Sequence, residues 1–467
     1  MLTLQEIAGA LGWRAVGNAR FESVGSDSRR VVPGQLFVAL RGERFDGHDF
    51  VEQAAREGAA AALVDQDWYA EHPQTSLPLL VADHTRIALG QLAGHWRQRF
   101  SLPLIGVTGS NGKTTVKDMC TAILRAQARR VGGGDADVLA TSGNLNNDIG
   151  LPLTLLGLRA GHRAAVIEMG MNHPGEIAYL AAIAQPTVAI VTNAQRAHLQ
   201  GMGSVVEVAH EKGAIYDGLQ PGGVAVINIE DPHAAYWLER NAGRAVCRFG
   251  LAGSGAELSV SCEPRGLGSH LTLDAPAGRI AVDLQVPGEH NARNAAGAAA
   301  ACLAAGAALE DVVAGLAAYG GTPGRLQQRA GAAGSLVIDD SYNANPDSMR
   351  AAIDVLAATA GRTVLVLGDM GEVGESSAQV HDEIGGYAKS KGIDALYALG
   401  EMSRVAVRNF GEGARHFDTP ESLVDALRPQ LDAGTVVLVK GSRFMRMERV
   451  ANALAAVHNG APSKESH

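Results

Sequence analysis

The segment Thr108-Gly109-Ser110-Asn111-Gly112-Lys113-Thr114-Thr115 constrains this chain more than any other. Residues 104–107 before it form an apolar run of strand character. After it, Val116, Met119, Ile123 and Leu124 keep helical spacing. A Gly-rich turn between a strand and a helix lets backbone N–H groups and a helix N-terminus face a phosphate. Lys113 then reaches the outer phosphates, and the Thr114 hydroxyl reaches a divalent cation. Val107 stands where the longer GxxxxGKS/T form has its first glycine. Alone, the segment also fits an ordinary Gly-rich turn before a helix.

A chain of 467 residues, at roughly 100–200 per domain, predicts about three domains. In the first, 1–83, short β runs at 36–40 and 61–64 flank a turn-rich segment, 41–48, and a helical stretch, 50–57. The second, 84–318, opens with a helix. Its strand candidates at 104–107, 165–167, 188–192 and 224–228 alternate with helices, which predicts a mostly parallel sheet covered on both faces. From 257 to 286 the apolar residues alternate instead, as an antiparallel patch appended to that domain, and a helix over 290–305 closes it. A linker at 319–324 leads to the third, 319–467, with strand candidates at 336–339, 364–367, 395–399 and 436–439. The expected fold is α/β in three domains: a small N-terminal unit, a central P-loop-type sheet and a C-terminal Rossmann-like unit.

Apolar residues make up 46% and charged residues 19%, so long disordered tracts are not expected, and only the tail beyond His458 reads as frayed. The formal charge of −9 comes with no basic arm, which argues against nucleic-acid binding. Cys120, Cys247, Cys262 and Cys302 are far apart, which argues against a zinc ribbon or disulfide framework and fits a reducing compartment. The N-terminus lacks the pattern of a signal peptide. The apolar stretch 295–309 is too short to span a bilayer and reads as a buried helix. The expectation is a cytoplasmic protein with no membrane insertion.

Polar residues concentrate at strand ends and loops. Glu168 ends an apolar strand, where a carboxylate can hold Mg²⁺ or simply be solvated. His198 follows another strand and reads equally as a structural hydrogen-bonder. Lys212 reads on its own as a surface lysine. The amide-rich loop Thr141-Ser-Gly-Asn144-Leu-Asn146-Asn147-Asp148 suits a polar ligand. Asn291 and Asn294 open an Ala-rich helix, and Asp340-Ser-Tyr342-Asn-Ala-Asn345-Pro346 follows a strand. Turn and cap chemistry explains any one of these clusters, and strains to cover all three.

Together these blocks resemble the Mur ligase family of peptidoglycan synthesis over nearly the whole chain. The resemblance rests on 108–115, Glu168-Met-Gly170, His198-Leu199, Lys212, His290-Asn291 with Asn294, and Gly324-Arg325. Residues 143–152, 168–176, 342–349 and 367–374 look like the member that adds D-alanyl-D-alanine. The resemblance implies an ATP-dependent ligase, acting through an acyl phosphate, whose partners are UDP-N-acetylmuramoyl-tripeptide and D-alanyl-D-alanine. It also implies that Lys113 and the loop from Thr108 to Thr115 hold the ATP phosphates, with Thr114 and Glu168 on one Mg²⁺. His198 would take a second Mg²⁺ beside a carbamylated Lys212. Asn294, Asp340, Tyr342, Asn345 and Pro346 would take the adenosine, and Arg325 a phosphate. Ser28, Arg29, Arg41 and His48 fall in segments that resemble the uridine-nucleotide site, and Thr141, Asn144 and Asn147 are read as substrate-binding. A monomer is expected.

Two other readings stand beside this one. Another ligase of the same superfamily, such as an earlier Mur enzyme or a folate-type polyglutamate ligase, shares the phosphate loop. A phosphate-loop GTPase should carry an Asn/Thr-Lys-x-Asp motif to read guanine, and the chain has none.

Overall fold

The computed structural model describes residues 2–456, so the tail beyond His458 lies outside the described residues. Three α/β sheets follow one another along the chain. The first has five strands in the order Arg14–Val16, Leu79–Ala82, Ala61–Asp65, Gln35–Val38 and Ser23–Gly25, parallel except at the first pairing. Its central strands are buried along their whole length, as expected when helices cover both faces.

The nine-stranded central sheet has a parallel part in the order Ala245–Leu251, Val224–Asn228, Val188–Val191, Leu104–Thr108, Ala164–Glu168 and Val138–Ala140. The expected antiparallel patch is a continuation of this same sheet. Leu258–Arg265 pairs parallel with Ala245–Leu251, and Gly268–Ala275 and Gly278–Leu284 then add as hairpins.

The apolar stretch 295–309 is not one helix. Helix Glu289–Ala304 ends there, the chain turns through Gly306 at φ 94°, and helix Leu309–Ala318 begins. The alanines of the first helix are nearly all fully buried. Small side chains let it lie close on the sheet: a Cβ at Gly297 would press on Ile190 and Phe249. Helix Thr85–Arg97 docks on the central unit through the Trp96 indole, which donates to the Leu158 carbonyl at 3.1 Å. The buried Arg97 guanidinium donates to the Ala184 carbonyl at 3.0 Å.

The third sheet runs Gln327–Ala330, Leu336–Asp340, Thr435–Lys440, Arg362–Gly368, Ala395–Leu399 and Ala414–Phe417, antiparallel only at its first pairing. Among the described residues, no helix is long and apolar enough to cross a membrane.

Candidate active site between two sheets

In parallel α/β sheets, ligands bind beyond the carboxyl ends of the strands. Here the strand ends at Glu168, Asn228, Asp340 and Lys440 all line one cavity of about 1170 Å³, shared by the central and C-terminal units.

The phosphate loop forms its floor. Gly109 and Gly112 both have positive φ, and a Cβ at either would strike Thr192 Oγ1 or Asn294 Oδ1. The loop is tied to the neighbouring strand's end. Ser110 N–H donates to the Asn193 carbonyl and Asn111 N–H to Asn193 Oδ1, each at 2.9 Å, while Thr192 Oγ1 donates to the Asn111 carbonyl at 2.6 Å. Lys113 Nζ folds back on the carbonyls of Gly109 at 2.7 Å and Ser110 at 3.2 Å. Burial draws its pKa down, Glu168 opposes the shift, and Arg325 adds to it. An anionic phosphate fits such a pocket, since it would keep the lysine charged.

Buried polar atoms are normally hydrogen-bonded, so each exception needs a reason. Among the described residues six buried side-chain nitrogens or oxygens lack a partner. Four of them belong to residues singled out from the sequence: Glu168 Oε2, His198 Nδ1, Lys212 Nζ and Arg325 Nε. Glu168 is held by Asn146, whose Nδ2 donates to Oε1 at 2.8 Å, and by its own N–H, which donates to Thr141 Oγ1 at 2.9 Å. Lys212 is wholly buried, which corrects the surface reading. Burial, and then the like charge of Lys113, push its pKa well below the usual range. His198 sits at φ 57° with Nδ1 2.8 Å from Glu372 Oε2, close enough for an ion pair but out of line for a hydrogen bond.

The orphaned Glu168 oxygen and His198 nitrogen fit a divalent cation, and the orphaned Arg325 nitrogen fits an anionic phosphate beside it. Among the described residues, no three His, Cys, Asp or Glu side chains converge as a self-contained metal site. Mg²⁺ is usually held in part by substrate phosphates, so a partial protein shell is the expected form.

The C-terminal unit closes the cavity. Arg325 Nη2 donates to Thr114 Oγ1 at 2.9 Å, and its guanidinium stacks 4.4 Å from the Tyr342 ring centre. Asn345 Nδ2 donates to Asn111 Oδ1 at 2.8 Å while Asn345 Oδ1 caps helix Pro346–Ala357. Arg196 binds Asp347 and Glu383 from across the boundary.

Several sequence readings change. Asp340 is not free for a nucleoside: its buried carboxylate accepts from Lys440 Nζ at 2.6 Å and from Leu326 N–H at 3.1 Å. Pro346 is the buried first residue of its helix, and the Thr108 hydroxyl donates to the Met169 carbonyl, so neither side chain faces the cavity. Thr141 lies beneath Glu168. Of the substrate-binding candidates only Asn144 and Asn147 line this cavity, and Asn147 Oδ1 also caps the next helix by accepting from Gly150 N–H. Arg41 and His48 border a separate pocket of about 570 Å³ in the N-terminal unit. His48 is buried with both ring nitrogens engaged, by Asp46 and by Asp65 N–H, and Arg41 is forked onto Asp65. Arg29 is exposed and forked onto Asp27, and the neighbouring Ser28 carbonyl accepts from Gln53 Nε2 at 3.4 Å.

Sequence reading gave no role to Lys440, and it reached Asn146 and Glu372 only as members of longer blocks. Lys440 ends a parallel strand, the same signal that marks Glu168. For Asn146 and Glu372 the individual role comes from a partner far along the chain, Glu168 and His198 respectively.

The description "Mur ligase middle domain" matches residues 107–302, "Mur ligase, glutamate ligase domain" matches 324–443, and "Mur ligase family, catalytic domain" matches 20–97. UDP-N-acetylmuramoyl-tripeptide–D-alanyl-D-alanine ligase of Escherichia coli (strain K12) is 40% identical over 457 residues, 97% of this chain and 98% of that protein. The crystal structure of MurF from Acinetobacter baumannii superposes with a TM-score of 0.88 at 36% identity, covering 97% of this chain and 98% of that one. The crystal structure of MurF ligase from Thermotoga maritima in complex with ADP gives 0.81 at 28% identity, covering 93% and 97%.

Proposed function

The chain belongs to the Mur ligase family, and from that premise we propose that it joins D-alanyl-D-alanine to UDP-N-acetylmuramoyl-tripeptide at the expense of ATP. The products are the UDP-N-acetylmuramoyl-pentapeptide of peptidoglycan synthesis, ADP and phosphate. One structural observation carries the reading: the orphaned polar atoms of Glu168, His198, Lys212 and Arg325 belong to residues grouped around the phosphate loop.

The reaction is carboxyl activation followed by aminolysis. An oxygen of the tripeptide's terminal carboxylate bonds to the γ-phosphorus as the bond to ADP breaks, giving an acyl phosphate. The dipeptide amine adds to the acyl carbon. The tetrahedral intermediate expels phosphate, and the amine gives up its proton. Protein groups make no covalent bond in this sequence, so their work is positioning and charge neutralisation. Lys113, unfolded from the carbonyls of Gly109 and Ser110, binds the outer phosphates. Arg325, brought by the C-terminal unit, adds the second cation. Closing the two units over the cavity keeps water from the acyl phosphate.

Thr114, Glu168, His198 and Lys212 would hold Mg²⁺, which supplies further neutralisation of phosphate charge when bound. Lys212 suits this role as a carbamate. An amine kept neutral by burial adds to the carbon of CO₂ and loses a proton, which turns a buried cation into a carboxylate-like ligand. Residues 1–83 take the uridine-nucleotide end, 84–318 the ATP, and 319–467 complete the ATP and dipeptide sites. One chain forms the cavity, so we read the working unit as a monomer. The free thiols fit the cytoplasm, where ATP and nucleotide-linked precursors occur.

Omission assays test this reading. Phosphate release and pentapeptide formation should require ATP, UDP-tripeptide and D-alanyl-D-alanine together. Phosphate release that depends on the UDP-tripeptide but not on the dipeptide would refute it. Running the lysine and diaminopimelate tripeptides side by side identifies the third residue.

A further inference from the structure

Glu372 stands in the cavity wall in a conformation that the surrounding fold imposes. Its φ is 60°, in the left-handed region that non-glycine residues rarely adopt. The segment leading to it is pinned from four directions. The Asp369 carboxylate accepts the N–H groups of Met402 and Ser403, and the Asp369 carbonyl accepts Ser442 N–H. Met370 N–H donates to the buried His381 Nε2 at 3.0 Å, and Gly371 N–H to Ser442 Oγ at 2.8 Å. All this bracing presents one carboxylate, 56% exposed, to the cavity beside His198.

Its availability sets it apart among the described acids of the cavity. Asp148, Glu230, Asp340 and Asp347 are paired with arginine or lysine, and Glu176 and Asp231 accept backbone N–H groups. Glu168 is 2% exposed beneath the phosphate loop. Glu372 faces a histidine, 2.8 Å away, and no arginine or lysine pairs with it among the described residues. It lines the same cavity as Lys113 of the phosphate loop. A cation held beside it would be attracted both by the carboxylate and by an acyl phosphate formed in the same cavity.

We propose that Glu372 is the anchor for the ammonium group of the incoming dipeptide, holding it beside the activated carboxyl until it passes one proton to the Glu372 carboxylate and attacks as the free amine. This rests on the ligase reading above and names a contact for the second substrate. The dipeptide is the one reactant that brings a primary amine to the reacting centre, and a charge-assisted hydrogen bond from a fixed carboxylate both selects it and places it.

The test compares wild type with E372Q, which keeps the backbone and side-chain shape, and with E372D, which keeps the charge on a shorter arm. In E372Q the KM for D-alanyl-D-alanine should rise roughly tenfold or more, the loss expected for one charge-assisted hydrogen bond. The KM values for ATP and UDP-tripeptide should stay within about twofold, and E372D should fall between wild type and E372Q. Propionyl-D-alanine, the dipeptide without its amine, should bind wild type far more weakly than the dipeptide does, and E372Q should show much less of that preference. An unchanged dipeptide KM in E372Q overturns the proposal. So does a rise of all three KM values together, which would assign Glu372 to holding His198 or the domain boundary. Wild type that forms no dipeptide-dependent product would fail the ligase reading itself, a result distinct from either of these.

Discussion

Replacing Arg196 with methionine should loosen the two units. The Arg196 side chain makes four hydrogen bonds across the boundary: Nε and Nη2 to Asp347 Oδ1 at 3.0 and 2.7 Å, and Nη1 and Nη2 to Glu383 at 2.9 and 3.2 Å. The substitution strands neither acid. Asp347 keeps the Arg196 N–H at 2.9 Å, and Glu383 keeps Arg350 at 2.8 Å. The guanidinium is 32% exposed, so each of the two ion pairs is worth about 1 kcal/mol after solvent screening. A total of about 2 kcal/mol corresponds to roughly thirtyfold in the equilibrium between joined and separated units. When only the joined form binds nucleotide productively, apparent affinity falls by the fraction joined. The ATP KM should therefore rise by up to about thirtyfold, with kcat at saturating ATP much less affected, and the gap from wild type should narrow as salt is raised. Fluorescence transfer between dyes on the two units reports the joining directly. An ATP KM within about twofold of wild type, with unchanged transfer, would show that these contacts do not hold the units together.

Three further substitutions probe the site and its surroundings. Lys113→Ala should lower turnover by about a thousandfold or more while the circular dichroism stays that of the folded protein, and coupled ligation near the wild-type rate would contradict its role at the phosphates. Lys212→Ala should lose activity that formate or acetate in the buffer partly restores, and full activity without any rescue would remove the carbamate from the mechanism. His290 has its pKa lowered to about 4, by burial first and then by Lys440 and Arg293. Below its unfolded pKa the unfolded chain binds a proton that the folded one refuses, so stability falls as pH drops from about 6.5 to about 4, by roughly 2 kcal/mol after allowance for partial exposure. His290→Asn should flatten that part of the melting temperature against pH, and an equally steep curve in the variant would place the acid sensitivity elsewhere.

Where one stretch of chain determines an element, the sequence already spells it out. Val224–Asn228 and Ala395–Leu399 are continuous apolar runs because both faces of a central parallel strand are covered, and their observed bounds match the expected ones. Short edge strands lack that signature. Gln327–Ala330 alternates between half-buried and exposed, and Ala414–Phe417 has one exposed and three half-buried residues. Each is a strand because a neighbour offers its free edge, and no local pattern reports that. Lys212 shows the same limit for charge. Its helix, Val205–Gly213, has a mixed composition that allows a solvated lysine, and only the packing of the central unit over that face makes it wholly buried.

The same distinction explains which functional residues were legible. Glu168 and the phosphate loop come from consecutive residues whose strand, turn and helix fix the geometry by themselves. Glu372, Asn146 and Lys440 acquire their roles from partners more than twenty residues away: His198 for the first, Glu168 for the second, Asp340 for the third. For Glu372 and Lys440 those partners are separated from them by whole elements of secondary structure. A site divided between two units therefore hides half of its chemistry from local reading. Domain movement can switch the contacts across the boundary, because Arg325 and Glu372 reach the phosphate loop and His198 only while the units are joined. Separating them leaves Lys113 folded on its own loop carbonyls, with no cation from the C-terminal unit beside it. On this reasoning, activation of the tripeptide carboxylate should fall along with domain joining in Arg196→Met at low ATP. A variant that joins poorly yet forms acyl phosphate at the wild-type rate under those conditions would separate the two.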